Sequence, residues 1–194
     1  MRRPSPTAIA AFLSLQHAAG FSYSEVGSTR SGAPAGYTVD HNRVRLGRGI
    51  DVFRHAVESL QHWRMFNLGW VELSPGDTPI EANATVAVLI RHFGFWSLNA
   101  CRVVYVFNEE RKYGFAYGTL QDHAEQGEER FSIDWSSDNW VWYDILAFSR
   151  PRQWQAKVAW PLSRMLQKKF ARDSKAAMAG LCPTSRVRTV GRRL

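Results

Sequence analysis

The sequence predicts an α+β fold in which a curved antiparallel sheet of about six or seven strands grips a long C-terminal helix. The middle of the chain is a run of short segments rich in Val, Ile, Leu and aromatic residues, separated by short polar connections. Short connections between successive strands favour an antiparallel meander over parallel strands, which need long crossovers. The longest helical pattern of the chain follows this run, where a helix can cover the sheet.

The composition indicates a packed core. Hydrophobic residues make up 45% of the 194 residues and aromatic residues 13%, which excludes a disordered chain. The eight Trp residues indicate either large buried side chains or an aromatic-lined cavity. Cys101 lies in an apolar run and Cys182 in a polar tail, so we expect two free thiols. No Cys/His spacing suits a metal, and no motif predicts a cofactor.

The first twenty residues predict an amphipathic helix. Ser5 can cap it, Pro6 suits its first position and Gly20 can end it. The apolar run is too short and too interrupted for a signal peptide or a membrane span, so we expect a cytoplasmic protein. The expected organisation is this helix at 1–20, a single α+β domain at 21–180 and a mobile basic tail at 181–194. The oligomeric state stays open.

The strands and the second helix are predicted from the spacing of apolar residues, which alternates in strands and recurs every three or four residues in helices. A first strand is predicted at Tyr37–Leu46, and a helix with an apolar face begins at Ile50. The remaining predicted strands are Gly69–Leu73, Thr85–His92, Cys101–Asn108, Tyr113–Leu120, Glu128–Trp135 and Trp140–Phe148.

The terminal helix is predicted over residues 151–179. Pro151 suits its start, and Pro161 inside the pattern should kink or divide it near Trp160. Its predicted apolar face consists of Trp154, Val158, Leu162, Met165, Leu166 and Phe170.

Seven strings in order resemble an uncharacterised family, the domain-of-unknown-function family nineteen-ninety. They are YSEVG (23–27), RLGRG (45–49), WRMF (63–66), NACRVVY (99–105), GFAYGTL (114–120), GEERF (127–131) and FSRP (148–151). The resemblance spans residues 21 to 179 and implies no reaction. The order of elements also resembles the helix-grip proteins of the START and Bet v 1-like type, in which sheet and last helix enclose an apolar cavity, although a fold does not fix a function.

The strand at Tyr113–Leu120 has one face of small residues. Tyr113, Tyr117 and Thr119 share one face, whereas Gly114, Ala116 and Gly118 share the other. The bare face leaves room for a packed helix, another backbone or a ligand. We expect the terminal helix there, with a cavity beside it as the functional alternative.

The candidate catalytic residues are His123 and Glu129. His123 and Glu125 could share a metal or form an acid–base pair, or they belong to a polar loop. Glu129 alternates in phase with Phe131 and Ile133, so its carboxylate should point to the apolar side and have a raised pKa.

A second acid, Asp144, lies in phase with apolar residues of its strand. Buried acids are nearly always paired, and Arg102 or Arg150 is the expected partner. The small-residue strand, the inward-pointing Glu129 and this buried acid together give the predicted ligand-binding set. It consists of Arg102, Tyr117, Gly118, Glu129, Trp142 and Asp144.

The start of the second helix is a candidate anion site. Gly47 and Gly49 flank Arg48, with Arg45 close by, and free N–H groups at a helix start attract anions. A third glycine is missing and Val52 stands at its place, so a tight strand-to-helix turn is the default.

The net charge of +8 comes from the last quarter of the chain. Residues 150–194 contain 12 of the 25 basic residues but only one of the 17 acids, Asp173. The helical set Arg164, Lys168, Arg172 and Lys175 predicts either a solvated face or weak binding of anionic membranes or nucleic acid.

The predicted function is binding of a small apolar or aromatic molecule between sheet and terminal helix. An enzyme acting in the same cavity, with Glu129 or His123 as acid–base group, is the alternative.

Overall fold

The computed structural model describes residues 2–123, 125–152 and 160–182. Seven antiparallel strands form one sheet in the spatial order β1-β7-β6-β5-β4-β3-β2, which confirms the predicted α+β class. The strands are β1 (Thr38–Arg48), β2 (Val71–Ser74), β3 (Thr85–His92), β4 (Phe95–Glu109), β5 (Lys112–Thr119), β6 (Glu125–Trp135) and β7 (Trp140–Pro151).

Three α-helices accompany the sheet in the part of the chain that the structure describes. They are α1 (Pro6–Gln16), α2 (Ile50–Gln61) and α3 (Trp160–Leu181), with short 3₁₀ turns at Ser28–Arg30 and Arg64–Phe66. Ser5 caps α1 as predicted, since its hydroxyl accepts from the Ala8 amide at 3.2 Å. Among the described residues, no helix is both long and apolar enough to cross a bilayer.

The two faces of the sheet carry different layers. The inner face, defined by Phe115, Phe131 and Tyr143, packs against α2 and the second half of α3 and contains the main core. The outer face is defined by Gly118, Glu128 and Asp144, which alternate with the inner residues along β5, β6 and β7. Helix α1 packs on the outer face, with Ile9 against Ala87 and Leu89.

The predicted start of the terminal helix is wrong. Pro151 ends β7, so the helix does not begin there. Helix α3 begins at Trp160, where the sequence predicts a kink or division, and Pro161 lies in its first turn. A proline in the first turn needs no hydrogen-bond donor, which explains why it fits there. Met165, predicted on the apolar face, is 52% exposed. The predicted contacts of Trp154 and Val158 fall outside the described residues.

The expectation that α3 covers the small-residue face of β5 is also wrong. That face is on the outside of the sheet. A Cβ atom at Gly118 would lie 2.8 Å from ring atoms of Tyr23, and one at Gly114 would lie 2.6 Å from the Phe107 ring. Aromatic side chains from the N-terminal segment and from β4 therefore fill the space that the glycines leave.

Both cysteines are free thiols, as predicted. Cys182, however, does not lie in a solvated tail: it is buried against the core directly after α3. The rest of the predicted tail, residues 183–194, falls outside the described residues.

Candidate functional site

A cavity of about 590 Å³ lies between the inner face of the sheet and α3. This volume falls within the range of small-molecule sites, roughly 300–1,000 Å³. Its apolar lining includes Phe66, Trp70, Val88, Ile90, Ile145, Leu162, Leu166 and Phe170. Its polar lining includes Asp40, Asn99, Tyr117, Thr119, His123, Glu125, Glu129, Ser149 and Gln167.

Helix α3 changes role along its length. Leu162, Leu166 and Phe170, on its first half, line the cavity, whereas Met178, on its second half, is fully buried in the core. The second half is fixed further by the Tyr143 hydroxyl, which lies 2.8 Å from the Ser174 hydroxyl. The helix is thus anchored at its C-terminal end and covers the cavity with its N-terminal end.

Glu129 is the central acid of the cavity, as its alternation with Phe131 predicts. The Tyr117 hydroxyl on the paired strand donates a hydrogen bond to its Oε2 at 2.8 Å. Burial raises the pKa of Glu129 to about 7, the carboxylates of Asp40 and Glu125 add to the rise, and the hydrogen bond from Tyr117 opposes it. Burial also raises the pKa of Tyr117 well above its ordinary value, so the phenol stays a donor.

The loop before β6 positions His123 and Glu125. The Glu125 amide donates to Nδ1 of His123 at 3.0 Å, which places the ring proton on Nε2. Burial lowers the pKa of His123 to about 4, so the ring is neutral near pH 7. Burial raises the pKa of Glu125, whose carboxylate accepts from Gln167 on α3. Within the described part of the chain, no group of three potential metal ligands occurs.

An ion pair joins α3 to the edge strand β1 beside the cavity. Arg164 binds the Asp40 carboxylate with both terminal nitrogens, one of them at 2.7 Å. Asp40 pairs in register with Ala147, which in turn pairs with Glu129. Asp40 and Glu129 therefore lie on one row of the sheet, two strands apart, on the same face.

Four residues of the predicted ligand-binding set lie outside the cavity. Arg102, Gly118, Trp142 and Asp144 are on the outer face, whereas Tyr117 and Glu129 line the cavity. Arg102 binds the carbonyls that end α1, those of Gln16, His17 and Ala19, at 2.8 to 2.9 Å. Arg102 therefore holds α1 to the sheet. The alternation of residues along a strand does not reveal a contact with a segment so distant in the chain.

Asp144 is buried and paired, as expected, but its partners are different. They are His41 at 2.8 Å, Arg130 at 3.3 Å and Arg43 at 3.8 Å, and not Arg102 or Arg150. Residue Arg43 also stacks on Trp142, 4.4 Å from the ring centroid. The predicted apolar face of β7 is therefore an outer face on which Trp and Arg side chains alternate.

The predicted anion set lies where β1 meets α2. Gly49, with a φ of 88°, precedes the helix and provides the tight turn that the default interpretation required. The guanidinium groups of Arg45 and Arg48 lie 5.1 and 4.2 Å from the Trp140 ring centroid. These stacking contacts account for both arginines, and anion binding there stays a prediction.

The basic residues of α3 are mostly paired. Arg164 binds Asp40, Arg172 binds Asp173 at 2.9 Å, and Lys175 binds the Asn42 side chain at 3.0 Å. The two ion pairs leave the helix less charge for a polyanion than the sequence suggested, whereas Lys168 is exposed and Lys175 contacts a neutral amide. Polyanion binding stays a prediction.

The Trp excess did not predict the cavity lining. Trp70 is the only described Trp side chain among the cavity residues. The other described Trp side chains lie in the core (Trp63), beside α1 (Trp96) or against arginines (Trp135, Trp140 and Trp142). The cavity instead has Phe, Leu and Ile walls. Asn99, Asp40 and Ser149 were missed, and inner-face parity along β1, β4 and β7 was the signal that could have found them.

The raised pKa of Glu129 predicts a pH-dependent stability difference. The folded-state pKa of about 7 exceeds the ordinary value of 4.5, so the folded protein holds the proton more tightly. The resulting stabilisation is complete below pH 4.5 and is lost as the pH rises through 7. We expect the free energy of unfolding of the unmodified protein to fall by about 3 kcal/mol relative to Glu129→Gln between these limits.

Urea unfolding of both proteins at pH 4.5 and pH 8 measures this difference. The exposed Glu110→Gln serves as the matched control, with an unchanged pH profile. Parallel profiles for Glu129→Gln and the unmodified protein would show that Glu129 ionises normally.

Comparison with known proteins places the chain in a family. Residues 22–177 match the family model described as Domain of unknown function (DUF1990). A UPF0548 protein of Dictyostelium discoideum is 34% identical, covering 89% of this chain and 90% of its own length. A UPF0548 protein of Deinococcus radiodurans is 36% identical, covering 89% and 92%.

Solved structures show the same fold at low identity. A hypothetical protein from Helicobacter pylori, jhp0584, matches with a TM-score of 0.57 and 9% identity, covering 84% of this chain and 96% of its own. Ara h 8.0201 matches with a TM-score of 0.50 and 8% identity, covering 75% and 97%. The fold is of the helix-grip, Bet v 1-like type, and by sequence the chain belongs to the DUF1990 family.

Proposed function

We propose that the protein binds a small molecule with an apolar or aromatic body in the cavity between the inner face and α3. The observation that carries this proposal is the cavity itself, about 590 Å³ with apolar walls and polar groups gathered around Glu129. Apolar walls contribute affinity, and a few placed polar groups fix orientation. The fold supports the proposal, since Bet v 1-like proteins often bind ligands.

The arrangement of α3 supports entry of such a molecule. The half of the helix that covers the cavity is joined to the sheet by polar contacts, namely Arg164 with Asp40 and Gln167 with Glu125. The other half is held by buried residues, among them Met178. Polar contacts exchange with water more readily than a packed core, so the first half of α3 can open while the second stays docked.

Filling the cavity tests the proposal. Ala147 lines it between Asp40 and Glu129, so the indole of Ala147→Trp would occupy ligand space. We expect the protein to bind the neutral dye N-phenyl-1-naphthylamine with enhanced fluorescence, and Ala147→Trp to bind it at least ten-fold more weakly. Ala176→Trp, on the exposed side of α3, is the matched control and should bind normally. Equal binding by Ala147→Trp, with its fold intact, would contradict the proposal.

A second candidate is an enzyme acting on the bound molecule. The pKa of Glu129, near 7, favours it, because an acid–base group works best when its pKa is close to the working pH. His123 is less suited, since its Nδ1 is occupied and its pKa is lowered to about 4. If turnover occurs, Glu129→Gln should abolish it and leave binding of a neutral ligand unchanged, whereas a binding protein has no turnover to lose.

A further inference from the structure

We propose that the ligand carries a positively charged amine, which the Glu129 carboxylate binds at the polar end of the cavity. This inference rests on the proposed function and names the chemical class of the ligand. It depends on the excess of carboxylates at this end of the cavity and on the Glu129 oxygen that accepts no hydrogen bond from the described residues.

Carboxylates predominate at this end of the cavity. Asp40 and Glu129 lie on one row of the inner face, and Glu125, at the start of β6, lies on the same strand as Glu129. Arg164 compensates Asp40 through their ion pair, and Lys168 is at the exposed rim, where it also borders an external groove. The described residues include no Lys or Arg in a salt bridge with Glu129.

Among the described residues, the Oε1 atom of Glu129 accepts no hydrogen bond. The Tyr117 hydroxyl donates to Oε2, and this is the single hydrogen bond of the Glu129 carboxylate among residues 2–123, 125–152 and 160–182. A buried carboxylate without a cation is costly when charged. An ammonium group in the cavity would supply the missing charge and form a charge-assisted hydrogen bond, so it would bind more tightly than a neutral group in the same place.

The other groups around Glu129 do not offer a competing cation. Tyr117 and Tyr143 carry phenols whose pKa values are raised, so both are neutral. His123 is neutral near pH 7, and Cys101 is a buried thiol with a raised pKa. His41 binds Asp144 on the outer face, and the Glu128 carboxylate is taken up by the segment around Tyr23 and Thr29. The charged and titratable groups that line the cavity or flank this end are Asp40, His41, His92, Cys101, Tyr117, His123, Glu125, Glu128, Tyr143, Arg164 and Lys168.

The walls beside this end suit an aromatic amine. Phe66 and Phe170 lie 5.2 Å apart, centroid to centroid, and line the cavity with Trp70 and Ile90. A ligand with a flat apolar body could contact these rings while its amine reaches Glu129. An anionic ligand would place its charge next to three carboxylates instead.

Three indoles of similar size test the charge preference: tryptamine, neutral 3-ethylindole and indole-3-propionate. We expect calorimetry at pH 8 to give at least ten-fold tighter binding for tryptamine than for the other two. The preference should shrink toward pH 5.5, as Glu129 takes up a proton. In Glu129→Gln the preference should disappear while 3-ethylindole binds as before, and the exposed control Glu110→Gln should keep it.

The outcomes separate this inference from the proposed function. Equal affinity for the three indoles, or a preference that survives in Glu129→Gln, would overturn the amine assignment and leave cavity binding intact. The same holds if none of the indoles binds while N-phenyl-1-naphthylamine does. Dye binding that Ala147→Trp does not weaken would instead overturn the proposed function.

Discussion

Replacing Glu128 with alanine is expected to destabilise the protein by about 4 kcal/mol. Its side chain is on the outer face, and the residue is 2% exposed. Its carboxylate accepts from the Tyr23 hydroxyl at 2.7 Å, the Gly27 amide at 2.6 Å, the Thr29 amide at 3.0 Å and the Thr29 hydroxyl. Without it, four donors lose their acceptor, and two of them are backbone amides of the turn at Gly27–Thr29. Arg130 on β6 still holds this turn through the Thr29 carbonyl at 2.8 Å.

Two measurements check this prediction. Urea unfolding gives the total loss, for which Tyr23→Phe should be intermediate at about 2 kcal/mol, since it removes one of the four bonds. Hydrogen exchange should show faster exchange of the Gly27 and Thr29 amides in Glu128→Ala than in the unmodified protein. The exposed Glu110→Ala should change stability by no more than about 0.5 kcal/mol. Unchanged protection of both amides would contradict the assigned contacts.

The strands and the antiparallel meander from β2 to β7 could be predicted because short-range patterns determine them, whereas the pairing of β1 with β7 joins distant parts of the chain. Val, Ile and aromatic runs separated by turns gave Thr85–His92 with the same bounds as β3, and β1 and β5 within two residues. The start of the terminal helix could not be predicted in the same way. A proline is compatible both with a strand end and with a first helical turn, and local sequence does not distinguish Pro151 from Pro161.

The candidate site was partly predictable for the same reason. Alternation along β6 placed Glu129 on the apolar side, because the side-chain period of a strand is two residues. The same rule puts Glu128 on the opposite face, and nothing in the strand itself indicates that this carboxylate is buried. Burial there depends on the segment around Tyr23 and Thr29, about a hundred residues earlier in the chain. Contacts of that range are not encoded in the strand itself.

The two neighbouring acids therefore have separate tasks. Glu128 has all its hydrogen bonds supplied by the protein and stabilises the fold, whereas Glu129 accepts one hydrogen bond from the described residues and faces the cavity. A carboxylate that is saturated by donors gains nothing from a ligand, while one that lacks partners does. This contrast supports the proposed role in ligand binding for Glu129 and not for its neighbour.

Substituting alanine for Gly127 is expected to destabilise the protein by about 4 kcal/mol or more, because the added methyl group collides with backbone. A Cβ atom at this position would overlap the carbonyl oxygen of Phe148 and lie 2.9 Å from the Cα atom of Ser149, both in the paired strand β7. A rotating side chain can avoid such a collision, but a backbone held on both sides by strand pairing cannot.

Chemical unfolding of Gly127→Ala, with Gly180→Ala as the matched control, tests this expectation. Nothing lies within 4 Å of a Cβ atom at Gly180 in the last turn of α3, so the same substitution there should stabilise the helix by up to about 1 kcal/mol. Each variant thus adds one methyl group, but the free energy of unfolding should fall in Gly127→Ala and rise in Gly180→Ala. If Gly127→Ala has the same unfolding midpoint as the unmodified protein, the expectation is contradicted. The strands β6 and β7 would then be further apart at this position, and the cavity wall beside Ser149 would be open there.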